Sequence, residues 1–242
     1  MTTPSMKRQW HGLMQSFDKD RYDSRNVYVA GLQRSIIPAK LRELIFIALD
    51  IQATHLYLDG AELHMAEAMR NGATVAEIVD TLELAGNETY RSFWGALSIA
   101  RSELGNADLP PLPDELAEFT DAYRERHGHW PQWLDVAVRT APALVPLIVR
   151  YISIPDRPFA LDPKSRALIL LALYASPTTA DAEGVRSSTV LSRDAGASPA
   201  EIYEAICLGS LNGTHSFSRG YMVLQQSLAT DKDRSRLGFT GE

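Results

Sequence analysis

The chain has 242 residues, 45% hydrophobic and 22% charged, with a formal net charge of −6 and a pI near 5.5. That is an ordinary globular composition, and it argues against a nucleic-acid partner, which calls for a basic patch. The longest apolar run, 168–175, is far shorter than the ~20 residues of a membrane span, and the N-terminal residues Met1 to Arg8 lack the apolar stretch of a secretory signal. One cysteine, Cys207, excludes an intrachain disulfide and any CxxC redox or zinc pair, so a cytoplasmic protein without a membrane partner is expected.

In chain order, 10–17 and 26–34 read as helical leaders. Residues 41–54 are apolar with polar interruptions, too long for a typical strand and rich in Leu and Ala, which predicts a helix. The next segment, about 60–71, places Leu63, Ala66 and Met69 at helical spacing, and Gly72 stops it. Thr74-Val75-Ala76-Glu77 reads as a capping box that starts another helix. Residues 105–113, rich in Gly, Asn and Pro, read as a linker. Helical patterning resumes over 114–126 and 133–152, and Asp162-Pro163 opens a helix to about 175. Ser198-Pro199-Ala200-Glu201 is a second capping box, with proline at N1 where its missing donor costs nothing. The tail after Thr230 is polar and is expected to fray. His127-Gly128-His129 reads as a cap and turn beside Trp130 and Pro131, not as a metal pair. No strand pattern emerges, and the expected fold is all-α.

Shifted by 124 positions, the chain lies over itself. Lys40-Leu41-Arg42-Glu43-Leu44-Ile45 meets Lys164-Ser165-Arg166-Ala167-Leu168-Ile169, and Gly72-Ala73-Thr74 meets Gly196-Ala197-Ser198. The offset holds without insertion over roughly fifty positions, the mark of an internal repeat. The expected organisation is a first unit with its leader at 1–104, a linker at 105–113, a second unit with its leader at 114–230, and a tail at 231–242. The copies differ in ionisable residues. Glu43 faces Ala167, Asp50 faces Tyr174, His55 faces Thr179, Tyr57 faces Asp181, His64 faces Ser188 and Glu83 faces Cys207. The titratable set belongs to copy one, which predicts a site built mainly there.

Helix geometry supplies part of a constellation. Tyr57, Gly60 and His64 share a face if their helix starts early enough, and Gly60 leaves space for a ligand. Glu43 and Asp50, seven apart, share a face of the preceding helix, and Asp50 interrupts an apolar stretch where its pKa should rise. His55 and His64, nine apart, would point to opposite sides of one continuous helix, and no ligand-spacing motif supports a metal. Glu77 and Glu201 are capping residues.

Leu63-His64-Met65-Ala66-Glu67-Ala68-Met69-Arg70-Asn71-Gly72-Ala73-Thr74, followed by Ala76-Glu77-Ile78 and preceded by Lys40-x-Arg42-Glu43-Leu44, resembles the carboxymuconolactone decarboxylase and AhpD-like superfamily. The likeness covers about fifty residues in each half and implies two AhpD-like helical units in tandem. The peroxidase branch of that superfamily carries Cys-x-x-Cys-x-x-x-His. Here Tyr57 and Gly60 occupy the cysteine positions, so thiol peroxidase chemistry is not expected. The Leu-His context is similar to the decarboxylase branch. This implies a lyase of aromatic catabolism that needs no cofactor and acts by acid–base chemistry on a small carboxylated or lactone substrate. A non-catalytic, ligand-binding descendant is the alternative.

On that resemblance His64 moves the proton, Glu43 or Asp50 orients or tunes it, and Tyr57 donates a hydrogen bond. Arg42, His55, Gly60, Glu83 and His215 contact the substrate. Relatives with one unit assemble as trimers or hexamers, which implies a homo-oligomer here, a trimer with a dimer as the alternative.

Overall fold

The computed structural model describes residues 12, 14–31, 34–104, 109–127, 130, 132–152 and 158–230. The start of the first leader, most of the linker glycine–asparagine run, Gly128-His129 and the tail after Thr230 lie outside them. Helix α1 (Lys19–Gly31) begins earlier than the apolar pattern suggested, because Asp18 accepts the Arg21 N–H at 3.0 Å and caps it. Then follow α2 (Ala39–Ile51), α3 (Leu58–Arg70) and the long α4 (Val75–Glu103). A 3₁₀ turn (Asp114–Leu116) leads into α5 (Ala117–His127), α6 (Gln132–Thr140) and α7 (Val145–Ile152). The second copy provides α8 (Pro163–Ala175), α9 (Ala182–Asp194) and α10 (Pro199–Gly209). A 3₁₀ turn (Ser210–Asn212) then joins it to α11 (Gly213–Thr230). No strand occurs among the described residues, and no described helix is long and apolar enough to cross a membrane.

The single helix expected over 133–152 is two. Pro142 has no N–H to donate and disfavours helical geometry at Ala141, so the chain turns there and α7 restarts with Val145 N–H on the Ala141 carbonyl at 3.0 Å.

Helices α2 and α8 are central. Leu44, Ile45, Ile47 and Leu49 of α2 and Leu168, Ile169, Leu171 and Leu173 of α8 are all fully buried and pack in one core with Ile78, Ile202 and Leu208. Helices covered on every side read as near-continuous apolar runs, which is why neither shows a polar face. Each such side chain contributes about 1.5–3 kcal/mol by leaving water. Leu168→Ala would cost about 2–5 kcal/mol through the cavity it leaves. A smaller cluster of Leu134, Ala137, Val138, Val145 and Val149 holds α6 and α7 together.

Local devices recur at the same offset of 124. Thr74 and Ser198 both complete capping boxes, with Glu77 and Glu201, and Lys40 and Lys164 bond those glutamates at 2.7 Å each. Gly72 and Gly196 have φ of 86° and 85°, the left-handed conformation glycine accepts without a Cβ penalty. Leu56 and Ala180 adopt φ of 45° and 47° to reverse the chain between the central helix and the next. Such a residue costs roughly 1–3 kcal/mol and often marks a functional site. Its presence in both copies makes it a feature of the architecture instead.

The copies also hold each other. Asp80 of α4 accepts the N–H groups of Ala160 and Leu161 at 2.6 and 3.0 Å. At the matching place in the other copy, Glu204 of α10 accepts the Ile36 N–H at 2.9 Å and the Ser35 hydroxyl. Gln52 and Ser176, equivalent C-caps of α2 and α8, meet between them, where Gln52 also bonds Thr178, Thr179 and Asn212. These contacts place the C-terminal end of α2 against the N-terminal end of α11.

Candidate active site

Helix α2 presents Glu43 and Asp50 two turns apart, and α3 runs back alongside it with His64. The Glu43 Oε2 lies 2.7 Å from His64 Nδ1 and the Asp50 Oδ2 lies 3.9 Å from His64 Nε2. One imidazole thus stands between two carboxyl groups, with Nδ1 donating to Glu43 when that carboxylate is ionised. Phe46 packs against the ring at 4.8 Å between centroids and limits its rotation. Arg42 reaches the other Glu43 oxygen, Oε1, at 3.4 Å, whereas among the described residues Asp50 has the histidines His64 and His215 as its ionisable partners.

The turn between α2 and α3 brings the next two groups. Tyr57, the N-cap of α3, donates its N–H to the Asp50 carbonyl at 2.7 Å and receives the Gly60 and Ala61 N–H groups at 3.1 Å. Asp181, its equivalent, caps α9 with its own side chain. Tyr57 makes no such cap, and its ring lies instead 4.3 Å from the ring of His215. His55 lies in the turn, not on α3, so its direction is not tied to the helix and the expected opposition to His64 does not arise. Its Nε2 is 2.7 Å from His215 Nδ1, the two rings being nearly parallel, 13° apart. His215 enters from α11 of the second copy, and its Nδ1 is also 3.5 Å from Asp50 Oδ1.

Asp50 is 1% exposed. Burial pushes its carboxyl up to about 8, and its place in the last turn of α2, where the helix dipole disfavours negative charge, acts in the same direction. His215 is pushed down to about 4, by burial first and then by His55 and His64. Burial lowers His55 as well. Burial therefore favours the protonated form of Asp50 and the uncharged form of His215. In those forms their 3.5 Å approach is a contact of neutral groups, not an ion pair.

Gly60 shapes the floor. A Cβ there would lie 2.2 Å from Asp50 Oδ2 and 2.5 Å from Tyr57 Cδ1. In the second copy the Cβ of Gly184 would strike the Tyr174 ring at 2.4 Å. The aromatic ring that replaces Asp50 thus fills the space that the carboxylate and tyrosine share in copy one. Ser188, in place of His64, is buried with no hydrogen-bond partner for its hydroxyl among the described residues.

The structure therefore brings together Glu43, Asp50, His55, Tyr57, Gly60, His64 and His215, with Arg42 behind Glu43. Glu83 is half-buried on α4, and the contacts above are made without it. Arg219 escaped the sequence reading. It pairs with Asp59 at 2.9 Å and lies 5.6 Å over the Tyr57 ring, and only the folding of α11 onto α3 reveals it.

No family profile and no curated protein matches the sequence. Among solved structures the chain is similar to a Burkholderia xenovorans protein described as a candidate gamma-carboxymuconolactone decarboxylase subunit. The two are 25% identical, with 93% of this chain and 95% of that one covered and a TM-score of 0.75.

Proposed function

Because this chain belongs to the carboxymuconolactone decarboxylase and AhpD-like superfamily, we propose that it decarboxylates a small carboxylated lactone by acid–base chemistry centred on His64. The observation that carries this reading is the 2.7 Å contact of His64 Nδ1 with Glu43. A histidine held by a carboxylate through one nitrogen has a fixed tautomer and an oriented second nitrogen, which is what a proton carrier needs.

In the proposed reaction the bond from carbon to the departing carboxylate breaks and CO₂ leaves. Its electron pair enters the conjugated lactone as a dienolate, and protonated His64 delivers a proton from Nε2 to carbon. Glu43 compensates the imidazolium before the transfer, with Arg42 balancing the carboxylate. Tyr57 and Gly60 shape the floor of the site, and Asp50 bounds it on the Nε2 side of His64. Assembly as a homotrimer is part of the same proposal, and light scattering from a monomer would remove it.

The test is turnover of 4-carboxymuconolactone, followed as CO₂ release, by the wild-type chain and by His64→Gln. A positioned proton carrier contributes about 10²–10⁴-fold, so the variant should lose at least the lower figure in kcat with its fold intact. Equal turnover by both would end the assignment.

A further inference from the structure

Asp50, His55 and His215 each place one ligand-type atom within 4.8 Å of the others. We propose that these three residues bind one first-row divalent transition ion of the Zn²⁺ or Co²⁺ type, leaving a coordination position open on the side of His64. The inference does not rest on the proposed reaction, since the ion would bind whether or not His64 moves a proton.

The donor set decides the class of ion. Two imidazoles and one carboxylate suit Zn²⁺, Co²⁺ and Fe²⁺, and three protein ligands leave room for water or a substrate oxygen. Magnesium and calcium prefer oxygen throughout and are not expected. Two of the three ligand distances require little movement. His55 Nε2 and His215 Nδ1 are 2.7 Å apart, and His215 Nδ1 is 3.5 Å from Asp50 Oδ1. Zn–N bonds of about 2.0–2.1 Å at a tetrahedral angle put two nitrogens about 3.3 Å apart, so the rings need part by less than about an ångström. The nitrogens that would ligate are the ones that now share a hydrogen bond.

A second observation points the same way. Asp50 is buried in the last turn of a core helix, and its Oδ2 has no hydrogen-bond partner among the described residues. A buried carboxyl group left partly unsatisfied is costly. An ion on Oδ1 would replace the Asp50 proton and give the ionised carboxylate a charged partner inside the core, with Oδ2 facing His64 Nε2 at 3.9 Å. No ligand-spacing motif announces the site, because its members come from α2, the following turn and α11, with 160 positions between the histidines. The second copy offers Tyr174 and Thr179 where Asp50 and His55 stand. The stoichiometry should therefore be one ion per chain.

The experiment is titration of the untagged, chelator-stripped chain with Co²⁺, read by visible absorption and by equilibrium dialysis, then displacement with Zn²⁺. One saturable ion per chain is expected, bound more than about tenfold more weakly by His55→Gln and by His215→Gln, since even second-shell changes cost 10–100-fold. His64→Gln should bind as the wild type does. X-ray absorption of the wild-type Co²⁺ form, which needs no variant to fold, should show two imidazoles on the metal. Absence of a saturable site, binding that survives both histidine substitutions, or fewer than two imidazoles would overturn the proposal. None of these readouts uses a substrate, so they stand apart from failure of the decarboxylase reading.

Discussion

Gly60 approaches Asp50 so closely that any other residue would collide with it, the missing Cβ falling 2.2 Å from the Oδ2 atom. The obstacle is two side chains, Asp50 and Tyr57, and not backbone, so Gly60→Ala can be accommodated by pushing both aside. Overpacking costs about 1–3 kcal/mol, and the better helix propensity of alanine returns up to about 1 kcal/mol. Gly60→Ala should therefore remain folded while losing turnover. Gly184→Ala meets the Tyr174 ring in the core of the other copy. It should lower Tm comparably and leave turnover of the residual folded protein unchanged. Thermal melts and kinetics of the pair check whether the chemistry is confined to copy one.

Glu43→Gln separates orientation from proton transfer. The amide can still accept from His64 Nδ1 but cannot compensate an imidazolium, so kcat should fall roughly tenfold to a hundredfold, less than for loss of the carrier itself. KM should change little, because Glu43 acts through His64. Steady-state kinetics that showed the reverse, a raised KM with kcat intact, would assign Glu43 to substrate binding.

The reciprocal carboxylate clasps are unequal in burial, and their deletion should show it. Asp80→Ala strands the Leu161 N–H in the core, while Ala160 beside it is exposed, and a buried donor left unsatisfied costs about 1–3 kcal/mol. Glu204→Ala releases the Ile36 N–H, which solvent can reach because Ile36 is 53% exposed. Denaturant unfolding should report a loss of about 1–3 kcal/mol for the first and about 1 kcal/mol or less for the second.

Acid should weaken the two capping boxes together. Burial pushes the Glu77 carboxyl up, but hydrogen bonds from Lys40 and Thr74 outweigh it and hold the group below its ordinary 4.5. The Lys164 hydrogen bond, then those of Ser198, hold Glu201 low as well. A carboxyl whose folded pKa is depressed stabilises the fold above the unfolded pKa, and that stability is lost as pH falls through the folded value. Unfolding free energy should therefore decline below about pH 4.5, and more gently in the Glu77→Gln, Glu201→Gln double variant. Urea midpoints across pH 3 to 6 check the slope.

Much of the fold was legible because its signals are local. A capping box needs four consecutive residues, and a glycine stop needs one, so Thr74, Gly72, Ser198 and Gly196 could be read directly. The pairing of Glu43 with His64 was half legible, since each side chain's helix was predicted but not how the helices face. What escaped depends on chain direction outside helices. The spacing of His55 from His64 suits one continuous helix, whereas Leu56 turns left-handed beside His55 and α3 begins only at Leu58. The grouping of His215 and Arg219 with copy one follows from the packing of α11, set by contacts such as Asn212 with Gln52 across 160 positions. No spacing rule reaches that far.

The most direct test of the central claim is turnover of 4-carboxymuconolactone in D₂O, followed by proton NMR of the product, with His64→Ala beside the wild type. The account predicts a decarboxylated lactone carrying one carbon-bound deuterium in the wild-type reaction, and no product above background from the folded variant. Deuterated product formed equally well by His64→Ala would contradict it, as would a folded wild-type chain that leaves the substrate intact.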